Sequence, residues 1–116
     1  MKPHPWTTPL RRGAALLGLC ALAGTVQAAS VANGHERARM CQTCHGIDGV
    51  SKVPEAPNLA GQVEGYLVEQ LRAFKAGTRR NEQMSVIAQT LSAQDIQDLA
   101  AYYSAIEIKL VKVPLE

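Results

Sequence analysis

The sequence predicts an all-α fold, and three observations carry it. Apolar residues recur at helical spacing in three separate stretches. Two of those stretches bear helix-terminus signals, Gly77 after one and Ser92 with Asp95 at the head of another. The segment that alternates like a strand, at the C-terminal end, finds no partner strand in the sequence. Length allows one domain and not two ordinary ones.

Taken in order, residues 1–28 read as a signal peptide rather than part of that domain. Lys2, Arg11 and Arg12 give a basic start, and Gly13 to Val26 is apolar apart from Thr25. Val26-Gln27-Ala28 then places small residues at the two positions a signal peptidase reads, so cleavage and a periplasmic location are expected. The apolar run is shorter than the roughly 20 residues needed to cross a bilayer core. Cys20 follows Leu19, which is too large for a lipoprotein signal, and reads as an apolar leader residue. Three of the 12 basic residues and none of the 10 acidic ones lie in this leader, so the remaining chain carries a net charge of −1. That charge excludes a nucleic-acid footprint, which needs a strongly basic domain.

The mature chain of about 88 residues is small enough to gain much from a disulfide, metal or cofactor. Phe74, Tyr66, Tyr102 and Tyr103 are its aromatic residues, which suggests that something other than side chains fills the middle. Its first helix is expected from about Ala32 to Thr43, with Gly34, Ala38 and Cys41 on one face. Gly46 to Gln62, holding Gly49, Pro54, Pro57 and Gly61, suits neither helix nor strand, and a loop that long in a small domain usually has a function. The second helix is expected over about Glu64–Ala76, where Leu67, Leu71 and Phe74 fall at i, i+4 and i+7. A short helical turn fits between Met84 and Thr90. The third helix starts at the Ser92 cap and runs to about Ile106, with Ile96, Leu99, Ala100 and Tyr103 as its apolar stripe. Residues 29–106 therefore form the domain, and 107–116 form an extended tail with Ile108 and Leu110 on one face.

The chemistry lies in Cys41-Gln42-Thr43-Cys44-His45, the attachment signature of c-type haem. Two thiols add to the two haem vinyl groups, and two intervening residues on a helical turn set the sulfurs at a matching separation. The adjacent His45 then presents its imidazole to the iron. A Cys41–Cys44 disulfide, a thioredoxin-type pair and a zinc site compete with this reading. The thioredoxin pair would need a βαβ context, and zinc would need a second ligand pair. For the far side of the iron, Met40 and His35 share a helix with the motif, whereas Met84 lies past a loop and a helix. Met84 is thus the candidate sixth ligand, its alternative role being to fill a core gap.

Together these residues resemble class I c-type cytochromes, most of all the small bacterial c4/c553 monohaem branch. Beyond Cys41 to Gly46, the resemblance rests on Ala56-Pro57-Asn58-Leu59-Ala60-Gly61-Gln62, Tyr66-Leu67, Gln70-Leu71, Phe74-Lys75, Gly77, the Met84 segment and Asp98 to Tyr103. It implies three to four helices around one covalently bound haem, with the first and last helices crossing. The residues support that crossing independently: Gly34 and Ala38 give the first helix a flat patch that the ring of Tyr102 or Tyr103 could cover. The resemblance also implies that the Pro57 carbonyl accepts a hydrogen bond from His45 Nδ1, making Pro57 part of the haem-binding set. Arg79 and Arg80 are read as solvated loop charges, the alternatives being partners of the haem propionates or a docking patch. Many c4-type relatives carry two haem domains, and this chain has a single motif.

The implied function is single-electron transfer between redox partner proteins rather than an enzymatic reaction. The alternatives are a cytochrome subunit of a periplasmic dehydrogenase or oxidase complex, with the tail serving self-association or a partner subunit, and a haem-based ligand sensor. A haem-free thiol–disulfide oxidoreductase is a further rival from another class.

Overall fold

The structure, a computed structural model, describes residues 27–112 and 114. The expected signal peptide, Cys20 included, lies outside the described residues except for Gln27 and Ala28. Five helices follow: α1 (Val31–Ala38), α2 (Gln42–His45), α3 (Glu64–Ala76), α4 (Met84–Gln89) and α5 (Ala93–Ser104). There is no strand among the described residues, in keeping with the all-α expectation.

Two helices are fixed by their caps. The Ser30 hydroxyl accepts from Asn33 N and opens α1. At α5, Ser92 Oγ accepts from Asp95 N while the Asp95 carboxylate accepts from Ser92 N, the reciprocal box read in the sequence. At the end of α3, Gly77 adopts the left-handed conformation expected of a helix stop.

One expected element divides. The single helix expected over about Ala32–Thr43 ends at Ala38, and Arg39 to Cys41 form a turn before α2. There the backbone closes on the third residue back, with Met40 N donating to Arg37 O (3.2 Å) and Cys41 N to Ala38 O (2.9 Å). These tighter turns redirect the chain. The apolar periodicity runs through the break without a gap in spacing, so spacing alone could not reveal it.

α1 packs on α5, α5 on α3, and α3 on α4. The α1–α5 crossing depends on Gly34, where an added Cβ would overlap the Asp98 carbonyl and come within 2.7 Å of Tyr102 Cβ. Ala38 is fully buried one turn on. Tyr102 thus lies against Gly34, and Tyr103 joins Ala38 in the buried core. Ala38, Leu67, Leu91, Ile96, Leu99, Ala100 and Tyr103 form the buried core.

The segment from Gly46 to Gln62 is irregular but pinned. Its amides at Leu59 and Ala60 both donate to Gly49 O (2.8 and 3.1 Å), and Lys52 N donates to Cys44 O (2.8 Å). Two tyrosines of α5 hold its start, Tyr102 through Ile47 O (2.6 Å) and Tyr103 through Gly46 O (3.3 Å). Gly61 N donates to Tyr103 O (2.9 Å), tying its far end to the same helix. The tail begins against this loop. Ile106 packs on the core, and Ile108 would meet a Cβ at Gly61, while Leu110 and Val111 are exposed.

Candidate haem site

A cavity of about 600 Å³ opens between α2, the Ala56–Gln62 stretch, α3 and α4. Its size falls in the range of cofactor pockets, about 300–1,000 Å³. Cys41, Cys44 and His45 line it from the attachment motif, and Met84 and Ile87 line it from α4. Leu67, Leu71 and Phe74 of α3 and Leu99, Ala100 and Tyr103 of α5 supply its apolar walls. The thin aromatic inventory therefore has a structural counterpart: the helices surround a space that their own side chains do not fill.

Local geometry sets the motif. The chain leaves α2 at Gly46 with φ 73°, a conformation that disfavours any side chain, and a Cβ there would also collide with Val50 O and Asp48. This sharp exit brings the loop back so that His45 Nδ1 lies 2.9 Å from Pro57 O. A carbonyl can only accept, so Nδ1 carries the proton and Nε2 is left with its lone pair. A buried imidazole in that tautomer suits an axial iron ligand, and the hydrogen bond fixes the plane of the ring.

Neither cysteine is paired in a disulfide. Burial pushes the Cys41 thiol up to about 11, and the neighbouring Tyr103 hydroxyl offsets this only in part. Burial likewise raises the Tyr103 phenol. Among the described residues no cluster of three or more His, Cys, Asp or Glu side chains could hold a metal ion. The donor set at this cavity (two thiols, one imidazole and one thioether) thus fits a haem whose iron is held mainly by the porphyrin. Cys41 and Cys44 would carry the macrocycle, and His45 and Met84 come from two different elements to reach one cavity.

The other candidates separate clearly. His35 stacks edge-on against Tyr102 with ring centroids 5.3 Å apart and is not part of the cavity wall. Met40 does line the cavity, because the turn after α1 takes it off the helix to which the sequence assigned it. Arg79 and Arg80 are exposed, as expected of solvated charges, yet both stand at the cavity. Arg79 is also less free than that reading implied: its guanidinium lies 4.5 Å over the Phe74 ring and donates to Gln70 Oε1. Sequence reasoning missed the roles of Tyr102 and Tyr103 in clamping the loop. Their hydroxyls signal no partner in one dimension.

A helical domain with a Cys-x-x-Cys-His motif on the wall of an apolar cavity defines a protein that carries covalently attached haem c. The cytochrome c family profile matches residues 31–106, and the chain belongs to that family. Cytochrome c4 of Pseudomonas aeruginosa is 43% identical over 89 residues, covering 77% of this chain and 43% of that protein. The thiosulfate dehydrogenase electron acceptor of Thiomonas intermedia is 43% identical over 101 residues, covering 85% of this chain and 46% of the relative. The crystal structure of reduced recombinant cytochrome c4 from Pseudomonas stutzeri superposes with a TM-score of 0.65 at 38% identity, over 69% of this chain and 47% of that one. The chain spans about half the length of these curated relatives. The class I fold expected from the sequence agrees with this neighbour.

Proposed function

We propose that this chain is a periplasmic monohaem electron carrier, exported through a leader over residues 1–28, in which residues 29–106 form the haem domain. One observation carries the reading: the attachment cysteines, the Pro57-oriented His45 and Met84 converge on a single apolar cavity. Haem c bound there supplies a one-electron Fe(II)/Fe(III) couple. Cys41 and Cys44 hold it through thioethers, and Pro57 keeps Nε2 of His45 available. His45 and Met84 would hold the iron of that haem, and a His/Met pair would hold its potential high. If both His45 and Met84 bind the iron, no position would be open to a substrate, which favours electron transfer over enzymatic catalysis. Leu67, Leu71 and Phe74 give the site an apolar wall. The single motif in the sequence supports one haem.

The test is an absorption spectrum and redox titration of the chain expressed with a periplasmic haem-attachment system. A six-coordinate c-type spectrum with a thioether-to-iron band near the red end supports the proposal. Haem that binds carbon monoxide without any ligand displacement would point to an open-site sensor instead.

A second reading is favoured by the similarity to a thiosulfate dehydrogenase electron acceptor: the chain serves as the accepting partner of a periplasmic dehydrogenase. The exposed tail, with Ile108, Leu110 and Val111 uncovered, is then the segment that docks a partner subunit or a second copy. Stopped-flow reduction of the carrier by a purified thiosulfate dehydrogenase, with and without residues 108–116, tests it. Equal, slow rates for both forms would refute this role.

A further inference from the structure

We infer that Ala29 becomes the N-terminal residue of the finished chain and that its α-ammonium pairs with the buried carboxylate of Asp98. The inference rests on the export reading above and adds to it a structural consequence of cleavage.

The starting point is a buried carboxylate that meets no cation among the described residues. Asp98 is only 5% exposed, and its Oδ1 accepts from Ser30 N at 2.7 Å and from Gln94 Nε2 at 2.9 Å. Both donors are neutral. Among the described residues the ion pairs are His35–Glu36, Arg37–Asp95, Arg39–Glu36 and Lys52–Asp48, and none includes Asp98. Buried carboxylates are ordinarily paired with a cation, because neutral donors alone offset desolvation incompletely.

Cleavage after Ala28 would create that cation beside Asp98. Water adds across the Ala28–Ala29 peptide bond, leaving Ala28 as the carboxylate of the released leader and Ala29 as a free α-amine. An α-amine has an unperturbed pKa of about 7.7–8.0 and is mostly protonated at neutral pH. Consecutive Cα atoms lie about 3.8 Å apart, so the Ala29 amine stands one residue from the Ser30 nitrogen that Asp98 already binds at 2.7 Å.

The surroundings fit the cut. Ala28 and Ala29 are exposed and lie outside regular structure, while Ser30 caps α1. Cleavage at this bond therefore leaves the capping residue and all of α1 intact. It removes one contact, Gln94 Nε2 to Ala28 O at 3.5 Å, the outer limit of a hydrogen bond. Without Asp98 the new ammonium would sit unfavourably at the positive end of the α1 dipole. The carboxylate reverses that sign. The other charged groups on the two elements that meet there are already engaged or turned away: Asp95 pairs with Arg37, Glu36 with Arg39 and His35, and His35 leans on Tyr102.

The experiment uses the haem-loaded protein exported from its full precursor. Intact mass and N-terminal sequencing give the first residue, and the pH dependence of α-amine acylation gives its pKa in the folded and denatured protein. The expected result is a chain starting at Ala29 whose α-amine pKa is higher when folded than when denatured. Asp98→Asn, which keeps a neutral acceptor for Ser30, should abolish that difference. Because the folded pKa is the raised one, the stabilisation is complete below about pH 7.7 and lost as pH rises through the folded value. The wild-type melting temperature should fall over that window. Acetylating the α-amine of the wild-type protein should remove the same pH-dependent step, and this arm needs no folded variant. A chain that starts at Ala29 with equal folded and denatured α-amine pKa values overturns the ion pair and leaves export standing. A leader retained on the exported protein overturns the cleavage and, with it, the ion pair.

Discussion

Along α5, one side meets α1 with no space to spare, while Leu99, Ala100 and Tyr103 of the same helix line a cavity of about 600 Å³. The crossing is close-packed: Gly34 lets the backbones approach, Ala38 is fully buried, and Arg37 reaches Asp95 at 2.9 Å. The cavity is bounded but not filled. Interiors are normally close-packed, so a domain this small cannot leave such a space without a guest. The contrast separates the half of the fold that side chains fill from the half that haem would complete, and the two halves share α5.

Removing the guest should have the largest effect. Cys41→Ala with Cys44→Ala is expected to prevent stable haem retention and leave a largely unfolded chain, read by far-UV circular dichroism. Native helical content in the haem-free double variant would instead show that the side-chain-packed crossing holds the fold together without the haem.

Gly34→Ala strikes the other region. Its Cβ would overlap the Asp98 carbonyl, which is backbone and cannot swing aside. Overpacking of this kind costs about 1–3 kcal/mol, sometimes more. Thermal melting should report that loss, while the haem spectrum of the folded fraction stays unchanged. A changed axial-ligand spectrum would mean that crossing and crevice are more tightly coupled than their packing indicates.

Met84→Ala should act on the crevice without dismantling it. Haem stays attached, the sixth position opens, and the spectrum shifts towards high-spin or misligated forms with a lower potential. Met40→Ala should do neither, although Met40 shares the cavity wall. If the Met40 change alone abolished the thioether-to-iron band, the assignment would reverse.

Much of this was legible in the sequence, for different reasons in the two regions. Gly34 and Ala38 announced a close crossing because small residues four apart have few other uses in a helix. The α5 cap was readable because Ser92 and Asp95 satisfy each other locally. The attachment motif is contiguous, so its chemistry needed no fold at all. What escaped was non-local or conformational. The break at Arg39–Cys41 preserves helical periodicity, and it places Met40 on the cavity. The hydroxyls of Tyr102 and Tyr103 find carbonyls 55 and 57 residues away. Asp98 read as one residue of a helical run, and its burial against Ser30 appears only once α1 and α5 meet.

Smaller effects sharpen the picture. Ser92→Ala removes the α5 cap and should cost about 1 kcal/mol without altering the haem spectrum. Truncation after Glu107 should cost least, since Ile108 is already 63% exposed. Spectrum and potential should stay almost unchanged, with weakened self-association or partner binding seen by analytical ultracentrifugation. A large loss of melting temperature with a monomer in both forms would instead make the tail part of the fold.

A spectroelectrochemical titration of the exported protein decides whether one haem, bound by His45 and Met84, completes the cavity. The expected result is one haem per chain, a six-coordinate low-spin spectrum with the thioether-to-iron band when oxidised, and a single reversible one-electron transition. A chain that folds without haem bands, or a high-spin haem in the wild-type protein, would contradict it.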